Sequence, residues 1–301
     1  MDFLSIILII VGLSLFETIS SIDNAVINAE VLGTVSLRAR KWFCTWGLLV
    51  AVFFVRGILP LLILWATNPS LGLLGSLTAT FNSDPAVAKA MKESAPILLN
   101  GAGIFLIFLF FHWLFLEPKT YGLHAEKFFE KQGVWFYAII SVVLSTVVWF
   151  SIKQNPLTAF GAVIGSTAFF ITHGFKQQAE KIEHKMIHKK GHLTDWSKLL
   201  YLEVIDASFS IDGVLGAFAF TLSVPLILIG NGIGAIVVRQ LTVGNIERVK
   251  KYKYIKNGAM YSIFILGIIM LADAFNFHIP TWLSPTVTIL ILGYFFYKSI
   301  K

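Results

Sequence analysis

Residues 17–26 read ETISSIDNAV, and residues 206–215 read DASFSIDGVL. Laid over each other without gaps, Glu17 falls on Asp206, Ser21 on Ser210, Ile22 on Ile211 and Asp23 on Asp212. Each copy sets two carboxylates six residues apart inside an otherwise apolar stretch. A carboxylate at the centre of a bilayer costs roughly 2.5–3.5 kcal/mol even on the lenient insertion scale, so intramembrane acids are retained for a purpose. Four of them in matched pairs point to a cation site assembled from two related halves.

The surroundings are membranous. Of 301 residues, 56% are hydrophobic and 14% charged, and the mean hydropathy is +0.76. A soluble domain carries about 25% charged residues. The Met-Asp-Phe start has no basic n-region and no small-residue cleavage site, so the first apolar run reads as a retained helix rather than a signal peptide. A single cysteine, Cys44, excludes an intramolecular disulfide and a thiolate cage for a soft metal.

Nine apolar segments have spanning length: about 3–33, 42–66, 95–117, 134–152, 156–175, 198–222, 224–244, 258–275 and 280–299. The first is too long for one straight crossing at about 1.5 Å per residue, so it either projects from the membrane or breaks near the polar motif. The chain thus reads as an all-α polytopic protein forming a single membrane domain, 1–301. Of its 24 Lys and Arg, three (Lys89, Lys92 and Lys153) fall on one side and nineteen in the loops of the other. The positive-inside rule then puts the N-terminus outside and the C-terminus in the cytoplasm of a bacterial inner membrane. The net charge of +7, placed this way, favours anionic lipid as a partner and not nucleic acid.

The two remaining arginines, Arg56 and Arg239, lie within the second and seventh segments. Each stands nine residues after a glycine, in GLLVAVFFVRG at 47–57 and GNGIGAIVVRQ at 230–240. The repeat therefore covers repeat one (1–117, helices 1–3) and repeat two (198–275, helices 6–8). Helices four and five and a basic loop (118–197) link them, and an additional helix follows (276–301). Five crossings separate the two motif helices, so the halves run in opposite directions, as in inverted-repeat transporters with a site at the midplane.

On a helix, Glu17, Ser21, Asn24 and Asn28 form one polar stripe, and Glu203, Asp206 and Ser210 form another. Asp23 and Asp212 lie off these stripes unless the helices unwind, which the serines and Gly213 would permit. Carboxylate, amide and hydroxyl oxygens are hard donors suited to Mn²⁺, Ca²⁺ or Mg²⁺. No resident cofactor is indicated, no enzymatic chemistry is expected, and the divalent cation is read as substrate with protons as counter-ions. Glu17, Asp23, Asp206 and Asp212 are the expected ligands or proton carriers, with Asn24 and Glu203 supporting. Arg56 and Arg239 are expected as an electrostatic gate, and Asp273 as a relay acid.

Other signals are weaker. In the 176–198 loop, Glu180, His184 and His188 share a helical face, with His192 beyond Gly191. They read either as a metal or pH sensor or as an amphipathic helix on anionic lipid. Gly161 and Gly165 form a GxxxG packing face. The GNGIG run follows no strand, so close helix approach or a break is expected there, not nucleotide binding. Two rival functions remain. One is an intramembrane aspartyl protease using Asp23 and Asp212, whose GxGD signature is absent. The other is a non-transporting scaffold or stress-response protein whose acids only hold helices together. Oligomeric state is not legible.

ETISSIDNA resembles the first motif of TerC-type integral membrane proteins, and EVIDASFSIDG, with Glu203, Asp206 and Asp212, resembles their second. The resemblance implies a bacterial inner-membrane protein from a group linked to tellurite resistance and manganese export, in a divergent subgroup. The family's acids carry over to Glu17, Asp23, Glu203, Asp206 and Asp212. A departure is Gly213-Val214-Leu215, where the family usually has Ser and then Pro.

Overall fold

The computed structural model describes residues 3–47, scattered positions between 50 and 72, and residues 85–188, 194–244 and 251–301. Among them there is no strand. The helices are α1 (Phe3–Ser20), α2 (Ile22–Leu32), α3 (Leu37–Trp42, continued by a π turn at Phe43–Gly47), α4 (Pro85–Leu116) and α5 (His124–Lys131). They continue as α6 (Phe136–Gln154), α7 (Pro156–His188), α8 (Asp195–Ala217), α9 (Val224–Gly244), α10 (Ile255–Ala274) and α11 (Leu283–Ile300).

Seven stretches among the described residues are long and apolar enough to cross a bilayer: Phe3–Ser20, Glu93–Leu116, Gly133–Gln154, Pro156–Gln178, Val224–Leu241, Ile255–Ala274 and Leu283–Ile300. The nine expected spans are therefore met in part. Most of the second lies outside the described residues. The sixth is helix α8, whose Asp195, Lys198, Glu203, Asp206 and Asp212 make it too charged to qualify by composition.

The first segment does break at the motif. Ser21 adopts φ −92° and ψ 4°, outside the helical basin, between α1 and α2. Backbone bonds bridge the break, from Ser21 N–H to the Glu17 carbonyl at 3.1 Å and from Ala25 N–H to the Ser21 carbonyl at 2.9 Å. It is a bend, and those two carbonyls are already used. Helix α8 runs unbroken through Asp206, Asp212 and Gly213, so the unwinding that Gly213 would permit does not occur there.

Helix α4 is the axis of the bundle. Phe105, Phe108 and Trp113 are almost fully buried along it, wedged between α7 and α10. The approach to α7 is set by glycine. A β-carbon on Gly165 would overlap the Gly101 carbonyl, and one on Gly101 would lie 2.7 Å from the Gly161 carbonyl. The GxxxG thus acts as a packing face, letting backbones meet where there is no hydrophobic drive between helices. Asn100 clamps the same junction, donating to Ser151 Oγ at 2.9 Å and to the Thr158 carbonyl at 2.8 Å. Helix α6 is peripheral and leaves Val142, Trp149 and Phe150 exposed, as suits a lipid-facing helix.

The turn after α2 is pinned to the start of α8. Ser36 N–H donates to Asp195 at 3.0 Å, and Lys198 donates to Thr34 Oγ1 at 2.9 Å. Arg40 closes the α2 C-terminus by donating to the Leu32 carbonyl at 2.8 and 3.1 Å, which satisfies an end group that would otherwise be orphaned.

Candidate functional site

Three polar clusters lie where the motifs meet. The first is built on α1. Glu17 is fully buried and accepts a hydrogen bond from Ser21 Oγ at 2.8 Å. It fits because two neighbours have no side chain. A β-carbon on Gly213 of α8 would lie 2.6 Å from Glu17 Oε2, and one on Gly234 of α9 would lie 2.6 Å from its Cβ. Ser14, one turn earlier, donates to the Gly230 carbonyl at 3.0 Å. The GNGIG run is thus a close-approach surface in an unbroken helix.

The second cluster joins α8 to α9. Arg239 is buried, and its guanidinium lies 3.6 Å from Asp206 and 3.8 Å from Glu203. Its flat face sits 3.8 Å from the centre of the Phe43 ring, a cation–π contact that offsets part of the cost of burying the charge. Glu203 presses on Gly47 so closely that no β-carbon would fit there. Arg239 therefore lies against both Glu203 and Asp206. Arg56 lies outside the described residues.

The third cluster opens to a cavity of about 520 Å³ between α1, α4, α7, α8 and α10. His112, Glu117, His173, Lys176, Asp212 and Lys256 line it, with Ser20 and Ile22 flanking the bend. Lys176 forms an ion pair with Asp212 Oδ2, and Asp212 Oδ1 is buried with no hydrogen-bond partner among the described residues. The rings of His112 and His173 are in contact, with centroids 3.9 Å apart and planes tilted by 53°. His112 Nδ1 lies 3.3 Å from Glu117, and Lys256 lies 3.0 Å from the same carboxylate. At Glu117, just beyond α4, burial alone would raise the carboxyl. The hydrogen bonds and charges of His112 and Lys256 outweigh it and hold the group at about 2 against an ordinary 4.5.

The structure thus distributes the expected site residues. Glu203, Asp206 and Arg239 come together, Asp212 pairs with Lys176, and Glu17 sits against Gly213, the residue next to Asp212. Asp23 and Asn24 belong to the first turn of α2, and their side chains lie outside the described set. Asp273 lines a different cavity, of about 260 Å³, with Thr221, Pro280 and Ser284. It is 17 residues along α10 from Lys256, about 25 Å by helix rise. Among the described residues no three His, Cys, Asp or Glu side chains gather as a metal shell. The side chains of Glu180, His184 and His188, and the whole of His192, also lie outside the described residues.

Sequence reading missed Lys176, counted there as a loop charge, as well as His112, His173 and Glu117. Helix α7 continues past the apolar run to His188, which carries Lys176 on an ordered helix beside α8. No local motif signals that pairing.

A family model described as "Protein of unknown function (DUF475)" matches residues 22–301. The Rickettsia prowazekii protein "Uncharacterized membrane protein RP786" is 28% identical over 224 residues, covering 65% of this chain and 72% of that one. "Uncharacterized membrane protein YceF" of Bacillus subtilis is 29% identical over 85 residues, 28% of this chain and 33% of the relative. "UPF0053 inner membrane protein YoaE" of Escherichia coli K12 is 25% identical over 138 residues, 46% of this chain and 26% of the relative. The match therefore spans about a third or less of the latter two proteins. No solved structure matches.

Proposed function

The chain belongs to the DUF475 family of proteins of unknown function, with relatives named as membrane proteins, and on that premise we propose that it carries a hard divalent cation across the bilayer in exchange for protons. The observation that carries this reading is Asp212. It is a half-paired, partly buried carboxylate lining a cavity of about 520 Å³ and held by the ammonium of Lys176. Buried charges persist when they are paired or used. Here the partner is a flexible lysine that an arriving cation can displace. Arg239 stands in the same relation to Glu203 and Asp206. The structure then corresponds to a closed state in which the protein's own cations neutralise its cargo ligands, and protons or cargo neutralise them when the lysine leaves.

Two sets of contacts support the inverted repeat of helices 1–3 and 6–8. In the gapless alignments Ser14 corresponds to Glu203, and Gly230 to Gly47. The Ser14–Gly230 contact, from repeat one to repeat two, has its counterpart in the Glu203–Gly47 contact, from repeat two to repeat one. A β-carbon on Gly103 of α4 would lie 3.0 Å from the Gly267 carbonyl of α10, and one on Gly267 would lie 3.2 Å from the Gly103 carbonyl. That reciprocal pattern is what a two-fold axis between helices 3 and 8 produces. The basic ends of the helices are assigned to the cytoplasm, with the N-terminus outside and the C-terminus inside.

The oxygen-rich ligand set and the resemblance of both motifs to TerC-type proteins favour Mn²⁺, moved outward, over Ca²⁺ and Mg²⁺ as cargo. In proteoliposomes loaded with a pH dye, wild-type protein should pass Mn²⁺ with opposing proton movement, and Asp23→Asn and Asp212→Asn should lose both. Normal flux in both variants would place the site elsewhere. A second reading, a non-transporting membrane scaffold, draws on the absence of a three-ligand metal shell among the described residues. It predicts that the Asp→Asn variants keep function and that folded wild-type protein passes no divalent cation.

A further inference from the structure

The seam between α4 and α7 is aromatic until it reaches the larger cavity. Phe105 and Phe108 of α4 pack on Phe169 of α7, with ring centroids 6.0 and 5.7 Å apart. Four residues further along each helix, on the same face, Phe108 gives way to His112 and Phe169 to His173. Both rings line the cavity of about 520 Å³ that Asp212 also lines. His173 lies parallel to the Phe169 ring at 5.8 Å, and His112 stands edge-on to Phe136 at 5.6 Å. Hydrocarbon rings would fill both places without burying a polar nitrogen, so packing alone does not call for imidazoles here.

The two rings are in contact, 3.9 Å between centroids, and a partner fixes the tautomer of each. His112 Nδ1 faces the Glu117 carboxylate at 3.3 Å, so a neutral His112 donates there and keeps its lone pair on Nε2. The Gln177 amide donates to His173 Nε2 at 2.9 Å, so a neutral His173 carries its proton on Nδ1. The charged groups that share the cavity wall with the pair are Glu117 beyond α4, Lys176 on α7, Asp212 on α8 and Lys256 on α10. Glu117 and Lys256 form an ion pair with side chains 32% and 41% exposed, which brings this cavity to the protein surface. A polar cavity of this volume admits water, and water carries a proton across the space the rings do not bridge.

We propose that His112 and His173 are the proton carriers of the exchange, taking protons from the water of this cavity and returning them to it, while the acids of the two motifs take the cation. This rests on the cation-transport reading and separates the groups that move its two cargoes. In each transfer a ring accepts a proton on its free nitrogen and releases one from either nitrogen, so it returns to the neutral state and nothing is consumed.

The test compares full-length wild type, His112→Gln and His173→Gln in proteoliposomes that hold a pH dye and a dye quenched by Mn²⁺, with MnCl₂ added outside. Thermal unfolding of each purified chain in detergent, with and without MnCl₂, reports metal binding separately. Glutamine keeps a polar side chain that can donate to Glu117, and it takes up no proton. In wild type the interior should turn alkaline as Mn²⁺ enters. In either variant the rate of Mn²⁺-driven proton movement should fall at least tenfold, while the half-saturating Mn²⁺ concentration and the Mn²⁺-dependent thermal shift stay within twofold of wild type. His173 is the less buried of the two, so His173→Gln decides the matter if His112→Gln does not fold. A folded variant that moves protons at the wild-type rate overturns the assignment. So does a folded variant that loses the thermal shift, because the pair would then belong to cation binding. Mn²⁺ entry without proton movement in wild type overturns the carriers and leaves cation transport standing. No Mn²⁺ entry in wild type overturns the cation reading and the carriers with it.

Discussion

Glu126 and Asp212 are two carboxylates withdrawn from water in the same helical bundle, and their surroundings differ in kind. Glu126, at the start of α5, is fully buried and takes hydrogen bonds from four donors. These are the backbone N–H groups of Gly122 at 2.7 Å and Leu123 at 3.0 Å, Asn257 Nδ2 at 2.8 Å and the Tyr261 hydroxyl at 3.1 Å. All four are neutral, and they are held by the backbone, by the short Asn257 side chain or by the rigid Tyr261 ring. They tie the α4–α5 connection to α10, and Lys298 of α11 closes the knot on the Gly122 carbonyl. Among the described residues Asp212 has Lys176 as its partner, on a long flexible stem, and its second oxygen has none. A carboxylate satisfied by immobile neutral donors serves the fold. One balanced by a mobile cation beside a cavity is in a condition to exchange that cation for another.

That contrast sets the expected consequences of substitution. The largest is at the satisfied site. Glu126→Ala leaves two side-chain donors and two backbone N–H groups unpaired in the interior, and at about 1.5–3 kcal/mol for a charge-assisted bond the loss should reach about 3 kcal/mol. Unfolding in a graded denaturing detergent would register it, and unchanged stability would remove the distinction. Glu126→Gln keeps one acceptor oxygen and should lose about half as much by the same measurement.

Asp212→Asn should change stability by less than about 1 kcal/mol, because Asp212 and Lys176 are only partly buried beside the cavity and the long lysine stem can carry its ammonium towards solvent. A stability loss equal to that of Glu126→Ala would show Asp212 to be structural. The smallest effect concerns acid. Glu117, held at about 2 in the folded protein against an ordinary 4.5, has a lowered folded value. Its contribution is therefore present above about pH 4.5 and is lost as the pH falls towards 2. Unfolding of wild type should become easier across that window, and Glu117→Gln should flatten this limb of the profile. An identical acid limb in the variant would mean that the His112–Glu117–Lys256 contacts add nothing.

The sequence carried the all-helical membrane architecture, because hydropathy and charge asymmetry are local quantities summed over about 20 residues. It left two readings of the first segment, a projecting helix or a break near the polar motif, and the structure has the bend at Ser21. Arg239 stands out in the sequence because a lone arginine in an apolar helix needs an acid nearby, and it lies 3.6 Å from Asp206 and 3.8 Å from Glu203. Glu126 does not. Its partners Asn257 and Tyr261 lie 131 and 135 residues away, and a glutamate in a short amphipathic segment looks like any solvated one. Lys176 was hidden for a related reason. Its neighbours in sequence are polar, and only the continuation of α7 past its apolar stretch brings it to Asp212.

The most direct measurement sets the two carboxylates side by side. Mn²⁺ entry into proteoliposomes under an imposed proton gradient would be recorded for Glu126→Gln and Asp212→Asn, each normalised to the amount of folded protein. The account predicts wild-type rates per folded molecule for Glu126→Gln and loss of at least tenfold for Asp212→Asn. Equal rates in the two variants would contradict it.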